Sequence, residues 1–510
     1  MNLFTAIDKK NICLFFVVLL FVYPIYAQKT VRIFIESANS LEYDISIGEN
    51  VNRFVGNVIF RHDKTYLYCD SAYLYVDINS VDAYGNVQIK ASDTSNIYGN
   101  VLKYDGNTGT AKISGNVKLI DNQITLITDT LVYNTKTKIA SYPNNGIITD
   151  LNNNLSSKKG VYYSDLKQFY FYDNVVLVNP EYKVYTDTLI YNTLTAVAYF
   201  KGPTTIISDE NIIYCEKGFY DTEHDISGFT KNAYLKNKNQ ILKADSIYYD
   251  RNLQVGLGFK NVNIFDSLQK IIIYGNYAEY HEIQGLSYVT DSAMLAIFNE
   301  GDTLFLHADT LLVNFNDSTK QGELLKAYYH VKFFRDDFQG MCDSLIYNFS
   351  DSTIILYKNP ILWTEENQFT AEEIKIWLQN DGKVDSLLLY KTAFIVSKDD
   401  IDKFNQIKGN TIKGYFRNNE LDYILVEKNA ETVYYVRDDS SAVVGINVAS
   451  ALNMIIYIEN NKAKRITFIQ NASGIMYPEK KIPDEEKILK GFKWYEKERP
   501  LSKEDIFSKD

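Results

Sequence analysis

The stretch Gly56-Asn57-Val58-Ile59-Phe60, Cys69-Asp70-Ser71-Ala72-Tyr73, Gly85-Asn86-Val87-Gln88-Ile89 decides the fold. Two motifs alternate in it. One is Gly-Asn-Val followed by apolar alternation, and it returns at Gly115-Asn116-Val117-Lys118-Leu119. The other is a small residue, then Asp, then Ser or Thr, then an apolar pair. It returns at Thr128-Asp129-Thr130-Leu131, Thr186-Asp187-Thr188-Leu189, Ala244-Asp245-Ser246-Ile247, Ala308-Asp309-Thr310-Leu311 and Cys342-Asp343-Ser344-Leu345. Gly56, Gly85 and Gly115 stand 29 and 30 residues apart, and Asp70, Asp129, Asp187 and Asp245 stand two such periods apart. A fixed period of this length is the signature of a repeat array, in which each unit buries its apolar face against the next.

Each period holds two half-units. A half-unit suits a strand of about five to nine residues and a turn. Gly-Asn steps supply the positive φ of tight turns, and the alternation after them turns one face inward. The small residue before each Asp and the apolar residues after it have opposite parity. A bulge or corner at Asp-Ser/Thr is therefore expected in every repeat. Extra residues near Asn299-Glu300-Gly301 and between Asp309 and His330 read as loop insertions. Gly445 to Ala451 reads as a short helix or loop.

Composition agrees with a β array. Tyr accounts for 41 of 510 residues and Pro for only 8, and 46% of the chain is hydrophobic, a composition suited to pleated, half-buried surfaces. The net charge of −11 argues against nucleic acid as a partner, because phosphate binding needs a basic face. Lys9 and Lys10, the apolar run Ile12 to Tyr23, Pro24 and the small Ala27 read as a secretory signal over residues 1–27. Residues 28–377 form the repeat array. Residues 378–477 are a further β region that continues or caps it. Residues 478–510 are a charged tail with a short helix around Glu485 to Trp494.

Nothing in the sequence selects an enzyme. The five histidines fall in no metal-ligand pattern, and no nucleophile elbow, P-loop or dinucleotide fingerprint occurs. The repeated Asp residues come once per period, without the clustered oxygens of a calcium loop, so no metal and no cofactor is expected. Cys69, Cys215 and Cys342 occupy the small position of the Asp motif and read as buried small residues. His281-Glu282 reads as solvated surface. Tyr73, Tyr133, Tyr191, Tyr248 and Tyr347 recur at one repeat position. They suit either a packed core or an apolar groove holding a lipid chain.

The Asp and Gly-Asn-Val motifs at this period, behind a signal, resemble the OstA-like family. Its members are LptA-type lipopolysaccharide-transport proteins, related to the N-terminal domain of the LptD receptor. The long chain and its Gly491-Phe492-Lys493-Trp494 tail resemble the OstA-like proteins of Bacteroidota. The resemblance implies an all-β, elongated, V-shaped two-sheet jellyroll with acyl chains held between the sheets. It implies a lining of Val58, Phe60, Val87, Ile89, Val117, Leu119, Leu131, Val175, Leu177, Leu189, Leu311 and Leu345. The implied role is a lipopolysaccharide or glycolipid bridge or adaptor in the periplasm, with the outer membrane as a second placement. The implied partners are Lpt-type proteins of the inner and outer membranes and further copies joined end to end. A structural or adhesive envelope solenoid without lipid cargo is the competing reading. A polysaccharide-acting solenoid enzyme is a third, and it would need a carboxylate cluster on one face.

Overall fold

The computed structural model describes residues 32–508 except 44, 151, 300–301, 317–321, 380–381, 418–419, 439 and 460–461. Residues 1–27, read from the sequence as a secretory signal, lie outside the described residues. The fold is all-β: antiparallel strands follow one another from Phe34–Ser37 to Ser473–Tyr477, and no α-helix occurs among the described residues.

One local device builds every repeat. Strand Val51–His62 pairs with Thr65–Tyr75 as Val55↔Ser71 and then Val58↔Cys69. Gly56 and Asn57 thus stand opposite the single residue Asp70, which is a β-bulge. Both bulged residues are left-handed, with φ of 80° and 47°, as are Gly85-Asn86 and Gly115-Asn116. The pair recurs with other residues at Lys260-Asn261, Lys358-Asn359 and Lys428-Asn429. The aspartate closes the corner from the neighbouring strand: Asn86 Nδ2 donates to Asp70 Oδ2 at 2.9 Å and Asn261 Nδ2 to Asp245 Oδ1 at 3.1 Å. The corner expected at Asp-Ser/Thr is present. Its extra residues, however, belong to the Gly-Asn strand, and Gly-Asn lies in mid-strand. The hairpin turns lie elsewhere, between His62 and Thr65 and between Tyr75 and Ser80. Strands that cross the corner are accordingly longer than expected, commonly 10 to 12 residues, as in Val51–His62 and Ile212–Asp221.

The corner divides every strand between two half-sheets. Half-sheet A holds Val51 to Val55 and its neighbours, and half-sheet B holds Val58 to His62 and its neighbours. Alternate residues are buried in both, as along Thr110–Asp121, and parity resets at the bulge. Phe54 of A meets Phe60 of B with ring centroids 5.5 Å apart, so the apolar faces of A and B face each other. Prolines respect this plan. Pro143, Pro203 and Pro360 sit at corners, where no ladder N–H is missed.

Two compact units divide the chain, Met1–Phe171 and Tyr172–Asp510. In the first, strands of 11 or 12 residues run from Val51–His62 to Ile124–Asn134. In the second, strands lengthen to 14 residues at Leu286–Asn299 and to 18 at Glu420–Arg437. The extra residues expected as loop insertions mostly extend the strands Leu286–Asn299, Asp302–Phe315 and Gly322–Arg335. Gly445 to Ala451 is strand, within Val443–Glu459. The Arg417 to Glu420 hairpin has the register Arg417↔Glu420.

The tail is short on regular structure. Its helical content is four single 3-10 turns, of which Asp484–Glu486 is the one within the expected helix. It is nonetheless docked. It crosses the outer face of half-sheet B in the second unit, from Ile482 packed on Val433, Tyr435 and Ile446 to Ser508, whose carbonyl accepts from Lys332 Nζ at 2.9 Å.

A Cβ on Gly85 would lie 2.4 Å from Asp70 Oδ2, at a φ of +75°. Gly85→Ala is expected to destabilise the first unit by about 1–3 kcal/mol. Asn86→Gly, which needs no strained side chain, should cost less. Urea midpoints of the two variants check this order.

Candidate functional site

In each unit, the space between the half-sheets is the region that its repeats build together. The register puts all twelve residues of the implied lining on the inner faces. Eleven are fully buried and Leu177 is half-buried. Val58, Val87, Val117 and Val175 follow the bulge directly, and Leu131, Leu189, Leu311 and Leu345 follow the Asp-Ser/Thr step. These eight sit at the corner, where A and B are closest and side chains pack to exclusion. Phe60, Ile89, Leu119 and Leu177 lie one inward step further out.

That outer step decides whether the two faces close. In the first unit they do. Phe60, Leu67, Ile89, Ile97, Leu119 and Leu126 are all at most 6% exposed. Polar clasps join the far edges of A and B. His62 Nδ1 bonds Tyr104 OH at 2.5 Å, Tyr104 OH reaches Thr135 Oγ1 at 3.3 Å, and Tyr162 OH donates to Asp121 Oδ2 at 2.9 Å. Burial pushes the Tyr104 and Tyr162 phenols above their ordinary range, and the Asp121 charge adds to the effect at Tyr162. A cavity of about 20 Å³ remains beside this clasp, lined by Ile33, Phe60, Leu67, Ile89 and Leu102 among others. That is room for about one water and not for an acyl chain.

In the second unit the same row opens. Pairings Ile206↔Ile213, Ile213↔Leu235, Leu235↔Leu242 and Leu242↔Ile264 make one continuous apolar line across half-sheet B. All five residues are half-buried. Their inward neighbours at the corner are small, with Cys215, Ala233 and Ala244 buried. On half-sheet A the corresponding edge carries Tyr249, Gly256 and Tyr280, also half-buried. A Cβ on Gly256 would meet nothing closer than Tyr249 at 3.5 Å, so space remains above it. Burial, the Asp225 hydrogen bond and the Asp225 charge push the Tyr220 phenol up to about 12, and its OH donates to Asp225 at 2.7 Å.

The mouth of this stretch is crossed only lightly among the described contacts. Arg251 meets Glu181 at 3.6 Å with both side chains exposed, and Gln269 Nε2 donates to the Gly322 carbonyl at 3.4 Å. An exposed pair of this kind contributes about 0–1 kcal/mol. Beyond it, Ile273, Leu295, Leu306 and Phe333 are buried again.

The remaining sequence candidates are dispersed. The thiols of Cys69 and Cys215 are pushed up by burial to about 12 and about 11, and that of Cys342 higher still. Tyr133, Tyr191 and Tyr347 face inward, whereas Tyr73 and Tyr248 face outward, because the first three stand four residues after the motif Asp and the other two stand three after it. His281 is half-buried, and its Nε2 bonds Glu279 at 2.8 Å on the outer face. Among the described residues no group of His, Cys, Asp and Glu is arranged to hold a metal ion. The row Ile206, Ile213, Leu235, Leu242 and Ile264 escaped the sequence reading. Its signal was the second apolar residue of each alternation, past the small residue on which the motif is centred.

Comparison with known proteins gives a family and likenesses among solved structures. The family described as OstA-like protein matches residues 30–187, 183–245 and 208–295. No curated protein matches the chain. Among solved structures it is similar to LptH of Pseudomonas aeruginosa, the LptA-homologous periplasmic component of the lipopolysaccharide transport device. The identity is 22%, over 22% of this chain and 80% of that one, with a TM-score of 0.19.

Tyr104→Phe removes the hydroxyl that joins His62 to Thr135. It is expected to lower the stability of the first unit by about 1 kcal/mol, read as faster amide exchange in strands Val51–His62 and Ser95–Asp105. Unchanged exchange would mean that the clasp does not hold the faces together.

Proposed function

The chain belongs to the OstA-like protein family, and from that premise we propose that it carries lipopolysaccharide or a related glycolipid through the periplasm. Acyl chains enter between half-sheets A and B of the second unit, along Leu177, Ile206, Ile213, Leu235, Leu242 and Ile264. The corner residues Val175 and Leu189 form the floor, and the sugars stay outside among the polar rim residues. The observation that carries this reading is the continuous apolar row left half-exposed in a fold that buries the equivalent position in most of its other strands.

The energetics favour such a row. Each methylene exposed to water costs about 0.8 kcal/mol, so a chain of about twelve carbons needs roughly 10 kcal/mol of shielding. An apolar trough supplies it without specific bonds, and the chain can slide along it. Movement in one direction needs work from elsewhere, which makes Lpt-type proteins of the two membranes the proposed partners. Residues 1–27 are proposed to direct export, and residues 378–477 to continue the array. Terminal strands Phe34–Ser37 and Ser473–Tyr477 are largely exposed, which suits end-to-end joining by strand addition.

The sealed first unit favours a second reading, a structural envelope solenoid without cargo. The two readings differ at one pair of neighbours. A photo-crosslinking residue at Leu235, facing inward, is expected to capture lipopolysaccharide in cells, while one at Tyr234, facing outward, captures none. Gly256→Trp should reduce capture at Leu235 at least several-fold. Equal capture at 234 and 235, or none at 235, supports the solenoid instead.

A further inference from the structure

The C-terminal tail binds in a mode that fits an extended peptide rather than a packed domain. Its backbone is read by glutamines placed one per hairpin on the outer face of half-sheet B. Gln368 donates from Nε2 to the Lys493 carbonyl at 2.8 Å and accepts from the Tyr495 N–H at 2.7 Å. Gln406 repeats the pattern on the Lys487 carbonyl at 2.9 Å and the Leu489 N–H at 2.9 Å. Gln339 accepts from the Arg499 guanidinium at 2.6 and 2.9 Å. The three glutamines are at most 3% exposed. They fall in one line across the strands with Trp363, Val396 and Val433.

Apolar anchors punctuate the tail. Phe492 packs on Phe394 and Phe404, Trp494 on Phe404, and Phe507 on the His307 ring. Ile506 is fully buried. The tail shares no sheet ladder with the strands it crosses, so it can lift without unpairing any of them. The row beneath it contains an unmet donor: Trp363 is fully buried and its Nε1 has no partner.

Inner faces track the tail. Under it, Leu295, Phe333, Leu362, Phe369 and Ile395 are buried, and Ile407 is half-buried. Ahead of it, from Ile206 to Ile264, the equivalent row is half-exposed. We propose that the tail, Glu479 to Ser508, is a releasable strap that ties the strands of half-sheet B together and holds the C-terminal repeats shut. Half-sheet B can hinge away from A about its corners only if its strands fan apart. A strap running across them opposes that motion, and lifting it extends the open trough toward the C-terminus.

The proposal rests on the groove reading for its consequence, but its test reads the strap without lipid. Cys342 lies on the inner face beneath the strap and Cys69 in the first unit, so one molecule carries probe and reference. Two variants of the full chain loosen the strap. Gln368→Ala with Gln406→Ala removes its backbone partners. Glu479→Lys with Glu496→Lys acts on the strap alone, reversing carboxylates that pair with Lys403 and Lys398 at 2.9 and 3.1 Å. Faster amide exchange in residues 479–507 reports release. With release, maleimide labelling of Cys342 is expected to rise at least tenfold while Cys69 is unchanged. Release without faster labelling of Cys342 in the charge-reversed variant overturns the proposal. A photo-crosslinker at Leu362 in the released variant then reports on the cargo. If Cys342 opens and neither Leu362 nor Leu235 captures lipopolysaccharide, the strap stands and the groove reading fails.

Discussion

A left-handed pair of residues opposite a single carboxylate or amide is the constraint on which the molecule rests. A flat antiparallel array of this length would expose one apolar face to water throughout. The bulge folds each strand across itself, so that one strand serves two half-sheets and the chain buries its own inner surface. The left-handed conformation is costly for most residues. The chain meets this with glycine and asparagine in the early repeats and often with Lys-Asn or Gln-Asn pairs later, although Asp291-Ser292, Tyr329-His330 and Lys391-Thr392 bear the cost without either residue. Asp70, Asp245 and Asp343 then bond the corner residues of the adjoining strand. The corner is thus specified by two strands together, which helps to fix the register as well as the bend.

Much of this was legible in sequence because it is local. The 29-residue spacing of Gly56 and Gly85, the alternation behind them and the parity break at Asp70 are all visible within a few residues, and they give the all-β repeat and its corner. Legibility ended where a local signal has two meanings. Gly-Asn also reads as the two-residue turn of a type II′ hairpin, and only pairing across to Asp70 makes it a mid-strand bulge. The residues around Asn299 look like an insertion, and only a sheet buried on both faces makes them strand. Tyr73 and Tyr133 share a motif but not a face. The tail was unreadable for a different reason: its partners Gln406, Gln368 and Gln339 lie 83, 127 and 160 residues away.

Closure between the half-sheets is uneven, and the unevenness carries the functional argument. Large side chains and buried hydroxyl clasps seal the first unit. Small residues at the corner and a lightly crossed mouth leave the early repeats of the second unit open. The repeats after them are closed on the inside and strapped on the outside. A solenoid serving only as a spacer gains nothing from an apolar row half-exposed to water, since that row costs stability and invites aggregation. A carrier of acyl chains requires one.

The central claim is that this row holds an acyl chain. The most direct measurement is native mass spectrometry of the full chain, isolated without detergent and incubated with purified lipopolysaccharide. The account predicts a complex of one chain with intact glycolipid, and its loss in Leu235→Asp with Leu242→Asp at unchanged fold. Spectra containing only the free chain, or a complex that survives both substitutions, would contradict it.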